Sequence, residues 1–275
     1  MSRVSVVIAA FAILLAACSR TSIEVTPTDR PCADIPRGAA LFGSWVEDPS
    51  SIPISFVYGD ERHDGLGGLE LISASCNETA SEKILQAVFS LDRDVELKVD
   101  ALFNKEFGET EYTVWVENKG TSPSKELKDI YSAVIPFKGG DAVLRGCLGD
   151  HVNKYADYQT PLKDTLVSFV SSNGRATHIV FPYFDLVHGD GGTLLAIGWA
   201  GTWQAEFSNE GGETLWKAGN CNDFDSVIMP GEKVRSALVV MLPYKGRDRD
   251  DATNLWREWF LKYNRSEEHT SELQS

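Results

Sequence analysis

Basic residues are scarce in this chain. Its 26 Lys and Arg stand against 40 Asp and Glu, a formal net charge of −14. Nucleic-acid binding needs a basic footprint that displaces counterions, so that partner class is excluded. Cysteine is sparse, 5 in 275 residues, and no CxxC pair occurs. Zinc ribbons and thioredoxin-like redox motifs are excluded by that spacing, and no metal site or cofactor is expected. His63, His151, His178 and His188 show neither HxH nor HExxH spacing and are read as structural or exposed. Gly65-Leu66-Gly67-Gly68 is not a phosphate cradle, because no Lys-Ser/Thr closes it and no helical pattern follows. No apolar run reaches the roughly 20 residues that a bilayer-spanning helix requires.

The N-terminal apolar run is shorter and of another kind. Arg3, then Val4 to Leu15, then Leu15-Ala16-Ala17-Cys18 stand in the order of a bacterial lipobox. Residues 1–17 are therefore expected to be a signal peptide and Cys18 the lipid attachment site. Lipidation there supplies more than one acyl chain, enough for stable anchoring to a membrane. Ser19 in place of Asp points to the outer membrane, facing the periplasm or the cell surface. Residues 18–37, rich in Ser, Thr and Pro, read as a tether. In an oxidising compartment Cys32, Cys76, Cys147 and Cys221 permit two disulfides in three connectivities, or stay as buried thiols. At the other end Arg265 to Ser275, RSEEHTSELQS, matches the translation of a sequencing-adapter oligonucleotide residue for residue. Asn264 is then expected to be the last genuine residue.

Between these ends the dominant period is two. Val95, Leu97, Val99, Ala101 and Phe103 alternate with mostly polar neighbours, the pattern of a half-buried strand. Glu111–Glu117, Leu127–Phe137, Asp164–Val170, Thr177–Pro182 and Val234–Leu242 read as further strands, and Leu41–Val46 as the first. Glu61 to Gly68 reads as an exposed loop. The centre of the chain is Pro182 to Phe207, PYFDLVHGDGGTLLAIGWAGTWQAEF. It reads as strand, tight turn, strand, turn, strand, and its nearly uncharged Thr193–Trp199 segment predicts burial on both faces. Near the end Ala252, Leu255, Trp256, Trp259, Phe260 and Tyr263 recur at helical spacing, behind Asp250 or Asp251 as cap.

Several pieces in this order resemble the N-terminal β-domain of glycoside hydrolase family 36, the α-galactosidase or melibiase family. They are Gly174-Arg175, Phe181-Pro182-Tyr183-Phe184-Asp185-Leu186, the run Gly191 to Trp203, Ala218-Gly219, Pro230 to Arg235, and Asn254-Leu255-Trp256-Arg257. The resemblance implies an all-β fold, a large antiparallel β-sandwich (supersandwich) over 38–249 with a C-terminal amphipathic connector helix at 250–264. It also implies a retaining hydrolase whose two carboxylates sit in a (β/α)₈ barrel beyond Asn264. No catalytic residue is expected in this chain, and the fragment alone is expected to be inactive. The partner implied is an α-galactoside-type carbohydrate, met through that barrel; a homo-oligomer is left open. Part of the cover for Pro182–Phe207 would come from the barrel, leaving an aromatic surface near that stretch or on the 252–263 helix.

Four residues are candidates for sugar contact. Trp199 and Trp203 have equal parity, so one strand through both would place them on one face about 13 Å apart, at ~3.3 Å per residue. The competing reading is core or domain-interface packing. Tyr58 and Asp60 are candidates because the family's β-domain can lend a loop to the barrel's pocket. The alternative to the hydrolase reading is a free-standing carbohydrate-binding lipoprotein without chemistry.

Overall fold

The computed structural model describes residues 32–151, 154–220 and 224–264. Cys18, Cys221, most of the tether and the 265–275 tail lie outside them.

The first element is helix α1, Ile35–Glu47, where a strand was expected. Asp34 caps it by accepting from the Arg37 N–H, and Pro36 sits in the first turn. Gly38, Phe42 and Trp45 fall at i, i+4 and i+7 and form its buried face. Gly38 touches the rest of the fold by its backbone, since a Cβ there would fall on the Gly108 carbonyl oxygen. The six residues Leu41–Val46 were too short a window to separate period two from 3.6. The described chain thus joins the domain at Cys32, inside the segment read as tether. The Lys245 N–H donates to the Cys32 carbonyl, and the Asp34 N–H to the Pro243 carbonyl.

Seventeen strands follow among the described residues. They are β1 Ser55–Tyr58, β2 Glu61–Asp64, β3 Glu70–Glu78, β4 Glu82–Asp92, β5 Val95–Asn104, β6 Thr110–Asn118, β7 Glu126–Lys138, β8 Val143–Leu148, β9 Asp157–Pro161, β10 Leu166–Val170, β11 Val180–His188, β12 Gly191–Gly198, β13 Gln204–Glu210, β14 Glu213–Gly219, β15 Asp225–Val227, β16 Lys233–Arg235 and β17 Leu238–Lys245. Helix α2, Arg249–Tyr263, closes the described chain. The segment read as an exposed loop holds β2, hairpinned onto β1, with His63 stacked on Phe56 at 4.8 Å. The expected strand Val234–Leu242 is split into β16 and β17. At the break, Ser236 Oγ accepts from the Val114 N–H and Ser132 Oγ from the Ala237 N–H.

The strands form two antiparallel sheets. The larger has ten strands in the order β3-β4-β5-β6-β17-β12-β11-β8-β9, with β16 also on β6. The smaller has seven, β10-β13-β14-β7-β1-β2, with β15 on β7. Their inner faces share one continuous core, which includes Phe56, Phe89, Leu97, Tyr112, Phe184, Leu195, Phe207 and Trp216. The fold is an all-β sandwich, as the strand periodicity implied.

The doubly apolar segment finds its second cover within the described chain. Leu195 and Ile197 of β12 point into the sandwich core. Leu194 and Ala196 point the other way, into a second cluster with Val240, Leu242, Tyr244 and three α2 residues, Ala252, Leu255 and Trp259. Of the four aromatic residues on that helix only Trp259 is buried, at 3% exposed; Trp256 and Tyr263 are half-buried, and Phe260 and Leu261 are exposed. Asp248 caps α2 by accepting from the N–H groups of Asp250 and Asp251.

Candidate functional site: a cleft between the large sheet and α2

Where α2 crosses the outer face of the ten-stranded sheet, a cleft of about 280 Å³ opens beside it. β8 supplies Arg145, Gly146 and Cys147; β11 supplies Phe181, Tyr183 and Asp185; α2 supplies Arg249, Thr253 and Trp256. Alternation sets this arrangement. On β11, Phe181, Tyr183 and Asp185 share the outer face, while Phe184 points into the sandwich core.

A polar belt crosses the strands at this level. The Tyr244 hydroxyl donates to Asp185 Oδ1 at 2.6 Å. Arg145 Nη1 reaches Asp185 Oδ2 at 3.5 Å and the Arg247 carbonyl at 3.2 Å, while Arg145 Nε donates to Gln159 Oε1 at 3.2 Å. Tyr244 stands on β17 and Asp185 on β11, with β12 between them. The Tyr244 ring spans β12 by lying directly over Gly192, where any Cβ would collide with its phenol. That close approach accounts for the second glycine of Gly191-Gly192 in physical terms. Arg37 of α1 holds the same level from below, donating to the Gly192 carbonyl and, at 3.3 Å, to the Tyr244 carbonyl.

Burial raises the Asp185 carboxyl above its ordinary range, opposed by the Tyr244 hydroxyl and the Arg145 charge. Burial, together with the Asp185 charge, also pushes the Tyr244 phenol well up, so it remains a donor. Asp157 pairs with Arg249 at 3.0 Å. Both cleft carboxylates thus have an arginine partner, Asp185 the half-buried Arg145 and Asp157 the exposed Arg249. An aromatic series lines the rim: Tyr155 meets Phe181 at 5.9 Å, Phe181 meets Tyr183 at 4.9 Å, and Tyr183 meets Trp256 at 5.1 Å.

The residues singled out in the sequence are not brought together. Trp199 and Trp203 lie in the loop between β12 and β13, so the single strand assumed for a shared face does not exist. Trp203 is 1% exposed, donates from Nε1 to the Ala176 carbonyl at 2.8 Å, and packs edge-on to Phe184; it presents no ring face to a ligand. Trp199 is half-buried, with the Arg235 guanidinium 5.5 Å from its ring. Tyr58 is buried at the end of β1 in the smaller sheet, with Lys125 Nζ 5.5 Å from its ring. Asp60 is exposed in the following turn and does not line the small cleft that Tyr58 shares with Asp92 and Lys125. His188 clamps the two sheets: Nδ1–H donates to the Lys138 carbonyl of β7 and Nε2 accepts from Thr193 of β12, each at 3.0 Å. Burial lowers its pKa, which suits a neutral ring in that role. Cys32, Cys76 and Cys147 are free thiols, and Cys221 lies outside the described residues.

The cleft residues escaped the sequence reading because they come from three distant segments. One signal was available: Asp185 is an acid placed on the buried face of an otherwise apolar, aromatic strand.

No family model matches the sequence, and no curated protein matches it either. Solved structures do match the fold. An α-galactosidase from Lactobacillus brevis aligns with TM-score 0.60 at 11% identity, over 76% of this chain and 31% of that one. A family 36 α-galactosidase from Geobacillus stearothermophilus, in complex with stachyose, aligns with TM-score 0.53 at 19% identity, over 75% and 29%. An α-N-acetylgalactosaminidase from Bifidobacterium bifidum, in complex with GalNAc, aligns with TM-score 0.50 at 13% identity, over 77% and 33%. The chain therefore has the fold of a β-sandwich portion of family 36 α-galactosidases. At these identities the likeness is one of fold, and the chain spans less than a third of the length of these two α-galactosidases.

Proposed function

We propose that this chain is the N-terminal β-domain of an exported glycoside hydrolase, anchored through a lipidated Cys18, whose catalytic barrel is encoded beyond Asn264. The parent protein would cleave terminal α-galactosyl groups by a retaining mechanism, with nucleophile and acid/base carboxylates roughly 5–5.5 Å apart in the barrel. One observation carries this reading: about three quarters of this chain overlays on less than a third of the Lactobacillus brevis and Geobacillus stearothermophilus α-galactosidases.

The test is the genomic DNA downstream of codon 264. An open frame encoding a barrel, whose product hydrolyses a nitrophenyl α-galactoside, is the expected result. Release of nitrophenol by the protein spanning residues 18–264 alone would sink the assignment of catalysis to the barrel. Faster turnover of the N-acetylgalactosaminide by the extended protein would move the sugar specificity while keeping the hydrolase. Cys18→Ala should shift the protein from the membrane to the soluble fraction.

A second reading, a free-standing lipoprotein that binds glycans, is favoured by the aromatic-walled cleft beside α2. A stop codon close to codon 264 would select it.

A further inference from the structure

Three of the six pieces of sequence that carry the family resemblance meet at the cleft beside α2. Tyr183 and Asp185 of β11, Gly192 of β12, and Trp256 of α2 all belong to it or support it. Each has a local structural duty, yet together they leave an accessible cavity. The size of that cavity restricts its occupant. At about 280 Å³ it lies just below the roughly 300–1,000 Å³ range of ligand pockets. That space matches one six-membered ring with its substituents.

Charge restricts the occupant further. The cleft holds two arginines and two aspartates, paired as Arg145 with Asp185 and Arg249 with Asp157. A phosphate or carboxylate would meet a carboxylate beside each guanidinium, and an amine would meet a guanidinium beside each carboxylate. A lipid chain would bury these four charges without a partner for their spare donors and acceptors, which is costly. What remains is a neutral molecule carrying many hydroxyls and one apolar face. Hydroxyls both donate and accept, so they can use the unfilled lone pairs of Asp185 and Asp157, the guanidinium N–H groups and the Thr253 hydroxyl. The apolar face matches Phe181, Tyr183 and Trp256. The polar groups are also fixed in advance. Asp185 is held at 2.6 Å by Tyr244, and Tyr244 is seated on Gly192, so little ordering is left for the ligand to impose.

We propose that this cleft is a non-catalytic binding site for a single neutral hexopyranose unit, such as the end residue of a glycan. The choice of sugar probes rests on the carbohydrate reading above; the site itself rests on the cleft. It would hold a glycan chain near the membrane-anchored protein without cleaving it.

The test is calorimetric titration of the full chain with galactose, N-acetylgalactosamine, glucose and raffinose, with tryptophan fluorescence followed in parallel through Trp256. Saturable binding of at least one sugar, with a dissociation constant in the millimolar range, is expected for one small ring. Thr253 is exposed on α2, so Thr253→Trp should fill the cleft from outside the core. It should weaken binding at least ~10-fold while leaving the melting temperature unchanged. Arg145→Gln should weaken binding through lost hydrogen bonds. No saturable heat with any of these sugars at roughly 100 mM, far above the expected constant, would overturn the proposal. Binding that Thr253→Trp leaves intact would overturn it as well. Activity of the extended protein is scored separately. An inactive extended protein that binds sugar defeats the hydrolase reading alone, and an active one with no binding at this cleft defeats the cleft proposal alone.

Discussion

Along β5 of the large sheet, buried and half-exposed residues alternate from Val95 to Phe103, whereas β12 is buried at every position from Gly191 to Ile197 and β17 from Val239 to Tyr244. These strands belong to one sheet and share one inner core. The difference lies outside. Over β12 and β17 the outer face carries α2 and the chain around Ala33; over β4 and β5 it meets solvent, with ion pairs such as Lys98 to Asp100 at 2.9 Å. One sheet therefore follows two sequence rules, alternation where one face is wet and continuous apolarity where both are covered. A second cover makes a recessed cleft possible, and the candidate site lies at that end.

The largest effect should come from removing the cover. Trp259→Ala deletes a buried indole from between α2 and the sheet, and about 3–5 kcal/mol of stability should be lost. Urea unfolding monitored by circular dichroism measures it. A loss below about 1 kcal/mol would mean that α2 is not a true second layer.

Acid placement sharpens the same contrast. Glu109, just before β6, is 1% exposed and lies beneath α2, near the Trp259 indole. Its Oε1 has no hydrogen-bond partner. Burial raises its carboxyl well above the ordinary range, and the nearby charges of Glu111 and Glu82 add to this. Glu111 is itself raised, by burial and by Glu82. A folded-state pKa above the unfolded one means that the folded state holds the proton more tightly. This contribution to stability is fully present below the unfolded pKa and is lost as pH rises through the folded one. Melting temperature should therefore decline as pH climbs from about 4.5 towards 8, the range above an ordinary Glu pKa of ~4.3. Glu109→Gln should flatten that decline and melt higher than the parent at the upper end. An identical slope in both proteins would remove Glu109 as its cause.

Much of this architecture was legible, and the failures have specific causes. Continuous apolarity from Thr193 announced two-sided burial, and the 252–263 pattern announced an amphipathic helix. What the pattern could not state is that the second covers the first, because about fifty residues separate them and periodicity carries no long-range pairing. The missing cover was therefore assigned to a domain outside the chain. β3 gave no signal, since all nine of its residues are exposed and its backbone ladder with β4 alone defines it. The shared face for Trp199 and Trp203 failed because parity was carried past Gly198, where β12 ends, and of the two readings core packing is the one Trp203 follows. The cleft was hidden because the opposition of Arg145, Asp185 and Trp256 is a property of strand order.

The smallest effect is a control of the same residue type on β6, the strand beside the covered pair β17 and β12. Trp115 of β6 is half-buried on the outer face, outside the α2 layer, with Lys233 Nζ 4.4 Å from its ring. Its Cα partner on β16 is Arg235, the residue that also stacks on Trp199. Such a ring contributes a cation–π contact of ~0.5–1 kcal/mol at an exposed site, plus partial burial. Trp115→Ala should therefore cost no more than about 1–1.5 kcal/mol, well below the Trp259 loss. Adding Lys233→Ala to it should cost little further, because the pair shares one interaction; a double-mutant cycle reads this directly. If Trp115→Ala instead matched Trp259→Ala, the outer face over β6 would be as firmly packed as the face under α2, and the division of the sheet into a wet end and a doubly covered end would fail.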